Sequence, residues 1–154
     1  MREIKFRGLN QETGKFVYGW YTKLPRGARK YDAIISDIDG TLTEFYIHDS
    51  KTISQFTGLT DKNGVEIYEG DIVSQHAEWN GQSISWEECE EGGETETIGV
   101  VSITASKGVV LNKAKVRDLL ECGIPSRKSK WQIHVSGCRS AVIGNIHQNS
   151  ELLK

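Results

Sequence analysis

Arg127, Lys128 and Lys130 lead into Trp131, so three cations stand next to an indole within one short stretch. Cations neutralise phosphates and an indole stacks on an unpaired base, which makes these four residues the candidate nucleic-acid surface. Lys23, Arg26, Arg29 and Lys30, around Pro25 and Gly27, form a second basic loop. The pI of about 6 falls well short of the value above about 9 typical of a dedicated nucleic-acid binder. The plainer account is therefore solvated loops flanking strands, with Trp131 in the core. Trp79 and Trp86 lie beside an acidic run of Glu78, Glu87, Glu88, Glu90, Glu91, Glu94 and Glu96. Aromatic anchors with a polar rim characterise protein-recognition patches, so Trp79 and Trp86 are candidates for a partner-facing surface, unless both fold back over the core.

Metal chemistry has a weaker basis. His134 and Cys138 are four apart, with Cys122 or His147 as further ligands. That spacing joins side chains on a helix, but residues 132–135 alternate like a strand, so no metal and no cofactor are expected. Cys89, Cys122 and Cys138 include no Cys-x-x-Cys pair, and reduced thiols follow.

Residues 31–43 read Tyr-Asp-Ala-Ile-Ile-Ser-Asp-Ile-Asp-Gly-Thr-Leu-Thr. This resembles the first motif of haloacid-dehalogenase-type phosphotransferases. The resemblance implies Asp37 as nucleophile on phosphorus and Asp39 as acid/base, with Mg²⁺ balancing charge between them. It also implies a downstream lysine, a later acidic pair, and parallel strands alternating with helices. Gly70-Asp71 has no second acid at the required reach, and the residues after the motif carry β-type turns. The expectation is a strand ending in an Asp-Gly turn at 38–41, with 42–47 as its hairpin partner. Gly-x-Ser-x-Gly, Gly-x-Gly-x-x-Gly and Walker patterns are absent, which removes the common hydrolase and nucleotide-binding signatures.

The elements that would position these groups are short and extended. Gly occurs 16 times and Pro twice among runs of Val, Ile, Thr and aromatics, the texture of a β-rich chain that turns on glycine. Strands are expected at 4–7 and 16–21, joined through Gly14, and at 98–104, 109–111, 131–135 and 141–147. Tight turns are expected at Asp61-Lys62-Asn63-Gly64 and Glu69-Gly70-Asp71. Phe6, Phe16, Tyr18, Trp20, Phe56 and Tyr68 are expected mostly in the core. Residues 112–123 place Val116, Leu119 and Leu120 on one helical face, with Asn112 and Gly123 as caps, and predict one helix of about three turns. The acidic run, with Gly92-Gly93 inside it, predicts a solvated loop.

The segment 54–73 contains Gly-Leu-Thr-Asp-Lys-Asn-Gly-Val-Glu-Ile-Tyr-Glu-Gly-Asp-Ile-Val; residues 2–7 and 142–153 complete a set of three. In order and spacing these pieces resemble the YopX family of phage and prophage proteins. The resemblance implies one domain over 1–154, or an N-terminal β subdomain at 1–53 and a barrel-like subdomain at 54–154 sharing a core. It implies no particular activity. The fold expected is mainly β: a small antiparallel, SH3-like barrel domain with an N-terminal hairpin and one short helix. Net charge is −2 and 26% of residues are charged, as in soluble globular proteins. No apolar run reaches the ~20 residues of a membrane span, and residues 1–6 lack a secretion signal. A cytoplasmic binding protein is expected, its partner a protein or nucleic acid, with homo-oligomers possible through edge strands.

Overall fold

The computed structural model describes residues 3–26, 28–79, 93–118, 127–128 and 133–153. The chain divides into two compact units, residues 1–58 and 59–154.

In the first unit, β1 (Phe6–Asn10), β2 (Lys15–Arg26), β3 (Arg29–Ile38), β4 (Thr41–Tyr46) and the start of β5 (Ser54–Thr60) form an antiparallel sheet in the order β4-β3-β2-β1-β5. The β1–β2 turn is held by Asn10, whose Oδ1 accepts the N–H groups of Glu12 and Thr13 at 2.9 and 3.3 Å. The β3–β4 turn is the two-residue loop Asp39-Gly40, with φ of 52° and 79°. Both residues must be left-handed in that turn, a demand that Asp-Gly meets at little cost.

β2 serves two partners. Residues 15–19 pair with β1 and residues 20–26 with β3, and the change of partner falls at Gly19. A Cβ there would run into the Ile35 carbonyl oxygen, so only glycine lets the two strands approach so closely. The inner face gathers Ile34 and Ile47, both buried and both beside Gly8, with the Phe6 and Tyr21 rings 5.7 Å apart.

The second unit contains β6 (Glu66–Tyr68), β7 (Asp71–Trp79), β8 (Gly93–Thr104), β9 (Gly108–Asp118), β10 (Arg127–Lys128), β11 (Ile133–His134) and β12 (Ser140–Asn145). Its antiparallel sheet runs β10-β9-β8-β7-β12, with β11 also paired to β9. The core is Ile67, Val73, Val101, Leu111 and Ala114, over which Leu59, Val109, Ile133, Val135 and Val142 pack.

Two expectations are corrected. Residues 112–118 belong to strand β9, with Asn112 opposite Val100 and Val116 opposite Thr97; residues 119–123 lie outside the described residues. A lone three-turn helix is marginal in water, whereas this segment gains a ladder to β8 on one side and to β10 on the other. Ala114 is buried between exposed Lys113 and half-buried Lys115, a strand alternation that the Val116/Leu119/Leu120 stripe had masked. Helix among the described residues is limited to short 3₁₀ turns at Ser50–Thr52, Gly137–Arg139 and Ser150–Leu153. The SH3-like barrel is the second correction: among the described residues neither sheet closes, and β4, β10 and β12 remain at sheet ends.

The turn at 61–64 is built on a buried carboxylate. Asp61 Oδ1 accepts the N–H groups of Asn63 and Val65 at 2.8 and 2.9 Å, and Oδ2 accepts that of Val142 at 3.0 Å. Burial alone would raise this carboxyl group's pKa. The N–H groups of Val142, Val65 and Asn63 outweigh burial and hold the pKa below its ordinary value. A lowered folded-state pKa stabilises the fold above the unfolded value, and that stability is lost as pH falls through the folded one. Asp61→Asn should therefore cost about 2 kcal/mol at pH 7. Urea titrations should show the gap between variant and wild type closing below about pH 4, where the unfolded carboxyl is protonated.

Candidate functional site

Asp37 sits in β3 opposite Leu42, and Asp39 is in the β3–β4 turn; both are exposed. Residues 33–35 lie between β2 and β4 in antiparallel register, and Ser36 pairs with Thr43 of β4; this is not a parallel array flanked by helices. Trp79 is the last residue of β7, opposite Gly93. Arg127 and Lys128 form β10, and the register puts Lys128 opposite Lys115 of β9. Trp86, Lys130, Trp131 and Cys122 lie outside the described residues. His134 is in β11, while Cys138 lies in the 3₁₀ turn beyond it, exposed, with its Sγ 3.4 Å from Ser136 Oγ.

Part of the acidic run expected as a loop is strand. Glu78 faces Glu94 across β7 and β8, a like-charge pairing that weakens a ladder slightly. His76 Nδ1 lies 3.5 Å from Glu94 Oε1, and Ser74 donates its hydroxyl to Glu96 at 2.6 Å. Residues 80–92 lie outside the described residues.

The surface that the sequence reading missed is the outer face of β2-β3-β4. Side chains alternate along a strand, so Tyr31, Ala33, Ile35 and Asp37 share a face. The register brings Trp20, Thr22 and Leu24 of β2 and Leu42, Glu44 and Tyr46 of β4 onto that same face. Trp20 is 55% exposed and Leu42 65%. Tyr31 and Tyr46 meet edge to face at 6.3 Å, and carboxylates of Asp37 and Glu44 stand among the apolar groups. Further along β2, Tyr18 is also exposed, with Lys5 Nζ 5.9 Å from its ring centre.

Ring size alone places Tyr18 and Trp20 in the core, whereas both are exposed. Parity was the available signal: Tyr21 turns inward to Phe6, so its neighbour Trp20 must turn outward. The Tyr21 hydroxyl donates to Asp32 at 2.6 Å. That bond, then burial and the charge of Asp32, raises the Tyr21 pKa, which keeps the phenol protonated.

Next to the same strand lies an open groove of about 290 Å³, lined by Asn10, Glu12, Glu44, Phe45, Tyr46 and His48. Two of its lining side chains are carboxylates, and none is lysine or arginine. Among the described residues, no group of three His, Cys, Asp or Glu side chains converges in a way that could hold a metal. No helix is long and apolar enough to cross a membrane, again among the described residues.

A family model described as YopX protein matches residues 5–154. No curated protein matches the chain. Among solved structures it is similar to the crystal structure of protein EF1440 from Enterococcus faecalis, at 20% identity, with all of both chains covered and a TM-score of 0.46.

Trp20 and Leu42 are each more than half exposed on the outer face. Trp20→Ala combined with Leu42→Ser should shift thermal stability by less than about 1 kcal/mol, because both side chains are mostly solvated. Ile34→Ala, on the opposite face and fully buried, should cost about 2–5 kcal/mol. Thermal unfolding followed by circular dichroism separates the two cases.

Proposed function

The chain belongs to the YopX protein family, and we propose that it is a non-catalytic binding module, an accessory protein of phage or prophage origin acting in the bacterial cytoplasm. The carrying observation is the exposed pair Trp20 and Leu42 on one face of the first unit's sheet, with Asp37 and Glu44 among them. A large aromatic and a branched aliphatic side chain held on strands lose little entropy when covered. Covering a side chain the size of Leu42 is worth about 1.5–3 kcal/mol. The interspersed carboxylates favour a protein partner with a basic rim over the phosphates of a nucleic acid.

A second reading has its own support. Lys128 stands opposite Lys115, next to Arg127, at the β10 end of the second sheet, a local concentration of positive charge suited to phosphates. The two readings place their contacts on different units and are separable by mutation.

The test is affinity capture from lysate of phage-infected host cells with three baits: wild type, Trp20→Ala/Leu42→Ser, and Arg127→Gln/Lys128→Gln/Lys130→Gln. The proposal expects one protein held by the wild type and the basic-segment variant, with recovery reduced about tenfold or more in the aromatic-face variant. Salt-sensitive recovery of nucleic acid that only the basic-segment variant loses would favour the second reading. Mg²⁺-dependent turnover of p-nitrophenyl phosphate, abolished in Asp37→Asn, would replace both with the phosphotransferase.

A further inference from the structure

β4 is the last strand of its sheet, and no described strand lies on its outer side. The two-residue Asp39-Gly40 turn makes Ile38 and Thr41 the hydrogen-bonded closing pair, and hydrogen-bonded pairs then recur at every second position. Ile47 keeps the same phase, its N–H bonding to the Asp32 carbonyl at 2.8 Å. The N–H and C=O groups of Leu42 and Glu44 therefore point away from β3, into the plane where another strand would lie. Natural edges are blunted by proline, lysine or an inward-turned charge. Thr41-Leu42-Thr43-Glu44-Phe45-Tyr46 has none of these; it is rich in the β-branched and aromatic residues that favour strand pairing, and its one charge, Glu44, is on the outer face.

We infer that the β4 edge takes up an extended peptide segment of a partner protein by strand addition, and that the segment carries lysine or arginine. The charge preference comes from the groove beside this edge, where Glu12 and Glu44 contribute carboxylates, Phe45 and Tyr46 contribute rings, and no basic side chain lines the wall. Main-chain bonds to Leu42 and Glu44 would supply sequence-independent affinity, and the two glutamates would select the basic residue. The biological use of the site rests on the binding-module reading. Its chemistry rests only on β4 and the groove, so the two can fail separately.

The probe is a capped hexapeptide of alternating valine and lysine, compared with its valine–glutamate counterpart, added to the full chain at low salt and followed by amide NMR and hydrogen exchange. The inference expects the lysine peptide to bind about tenfold or more tighter than the glutamate peptide. It also expects exchange at the Leu42 and Glu44 amides to slow on binding. Glu12→Gln/Glu44→Gln should remove most of the preference between the peptides. Leu42→Pro should abolish binding, since proline is tolerated at an edge whose N–H faces outward but offers no donor. The exchange readout on wild type stands even if that variant does not fold.

Absence of binding, or binding that leaves the Leu42 and Glu44 amides exchanging as before, would overturn the inference. A dimer in sedimentation without peptide, lost in the double glutamine variant or in a folded Leu42→Pro, would also overturn it by assigning the edge to a second copy of this chain. Trp20→Ala should leave peptide binding intact. If peptide binding survives in Trp20→Ala while the partner in the capture experiment does not depend on Trp20, the aromatic-face reading fails and strand addition stands.

Discussion

A single buried carboxylate organises the second unit. Asp61 is almost fully enclosed, a position that is costly for a charge unless hydrogen bonds replace the lost water. Three backbone N–H groups do so, two from its own turn and one from Val142, 81 residues further along the chain. The neighbouring Lys62 N–H reaches the Ser140 carbonyl at 3.0 Å, and the Ile146 N–H reaches the Gly70 carbonyl at the same distance. The central signature segment and the closing segment are thus fixed to each other by backbone groups, with the Asp61 side chain as the one charged member. Asp71, accepting the Tyr68 N–H at 2.8 Å, and Asn145, accepting those of His147 and Gln148 at 3.0 Å, repeat the device at the neighbouring turns.

That network explains why the central and closing pieces of sequence read as parts of one signature. Both supply turn residues whose side chains bond to backbone, and substitution of any one strands N–H groups in a poorly hydrated place. Gln75 does the same for the next loop, with Oε1 accepting from the Ser136 N–H and the Ser140 hydroxyl and Nε2 donating to the His134 carbonyl. The buried polar side chains Asp61, Gln75 and Asn145 are thus occupied in holding turns and loops to strands.

Legibility in the sequence followed how local the determinant was. The hairpins at Asn10–Gly14 and Asp39-Gly40 were readable because their side chains and glycines act within the turn itself, and the strand pairs followed. Over the described residues 112–118 the expected helix gave way to strand, because its weak periodicity competed with pairing to β8 and β10, partners set by the whole sheet. The outward position of Trp20 was missed because ring size was weighed above parity, although Trp20 and Tyr21, adjacent in an extended strand, cannot both face one core. The change of partner at Gly19 had no sequence signal beyond the glycine, since what forbids a side chain there is the Ile35 carbonyl of another strand. The groove beside β4 was illegible for the same reason: Asn10 and Glu12 come from a different turn than Glu44 and His48.

The two-partner course of β2 also decides where a ligand would find unspent interaction energy. Where β2 changes partner at Gly19, the inner face carries Ile34 and Ile47, whose side-chain atoms would stand 2.8–3.3 Å from a Cβ on Gly8, too close for any side chain there without a shift. The first unit can then close its core with small residues at the crossing and with Tyr21 and Phe6 at the margin. Larger groups of the opposite parity, Tyr18, Trp20 and Leu42, are left exposed on the other face. Burial there adds to affinity without repacking the core, and the backbone beneath is already ordered, so a partner meets a preformed surface. β4, at the sheet's end, directs the N–H and C=O groups of Leu42 and Glu44 outward beside carboxylates. The pairing of β2 with two partners thus sets, through strand parity and strand order, which side chains and which backbone groups of this unit are left uncovered.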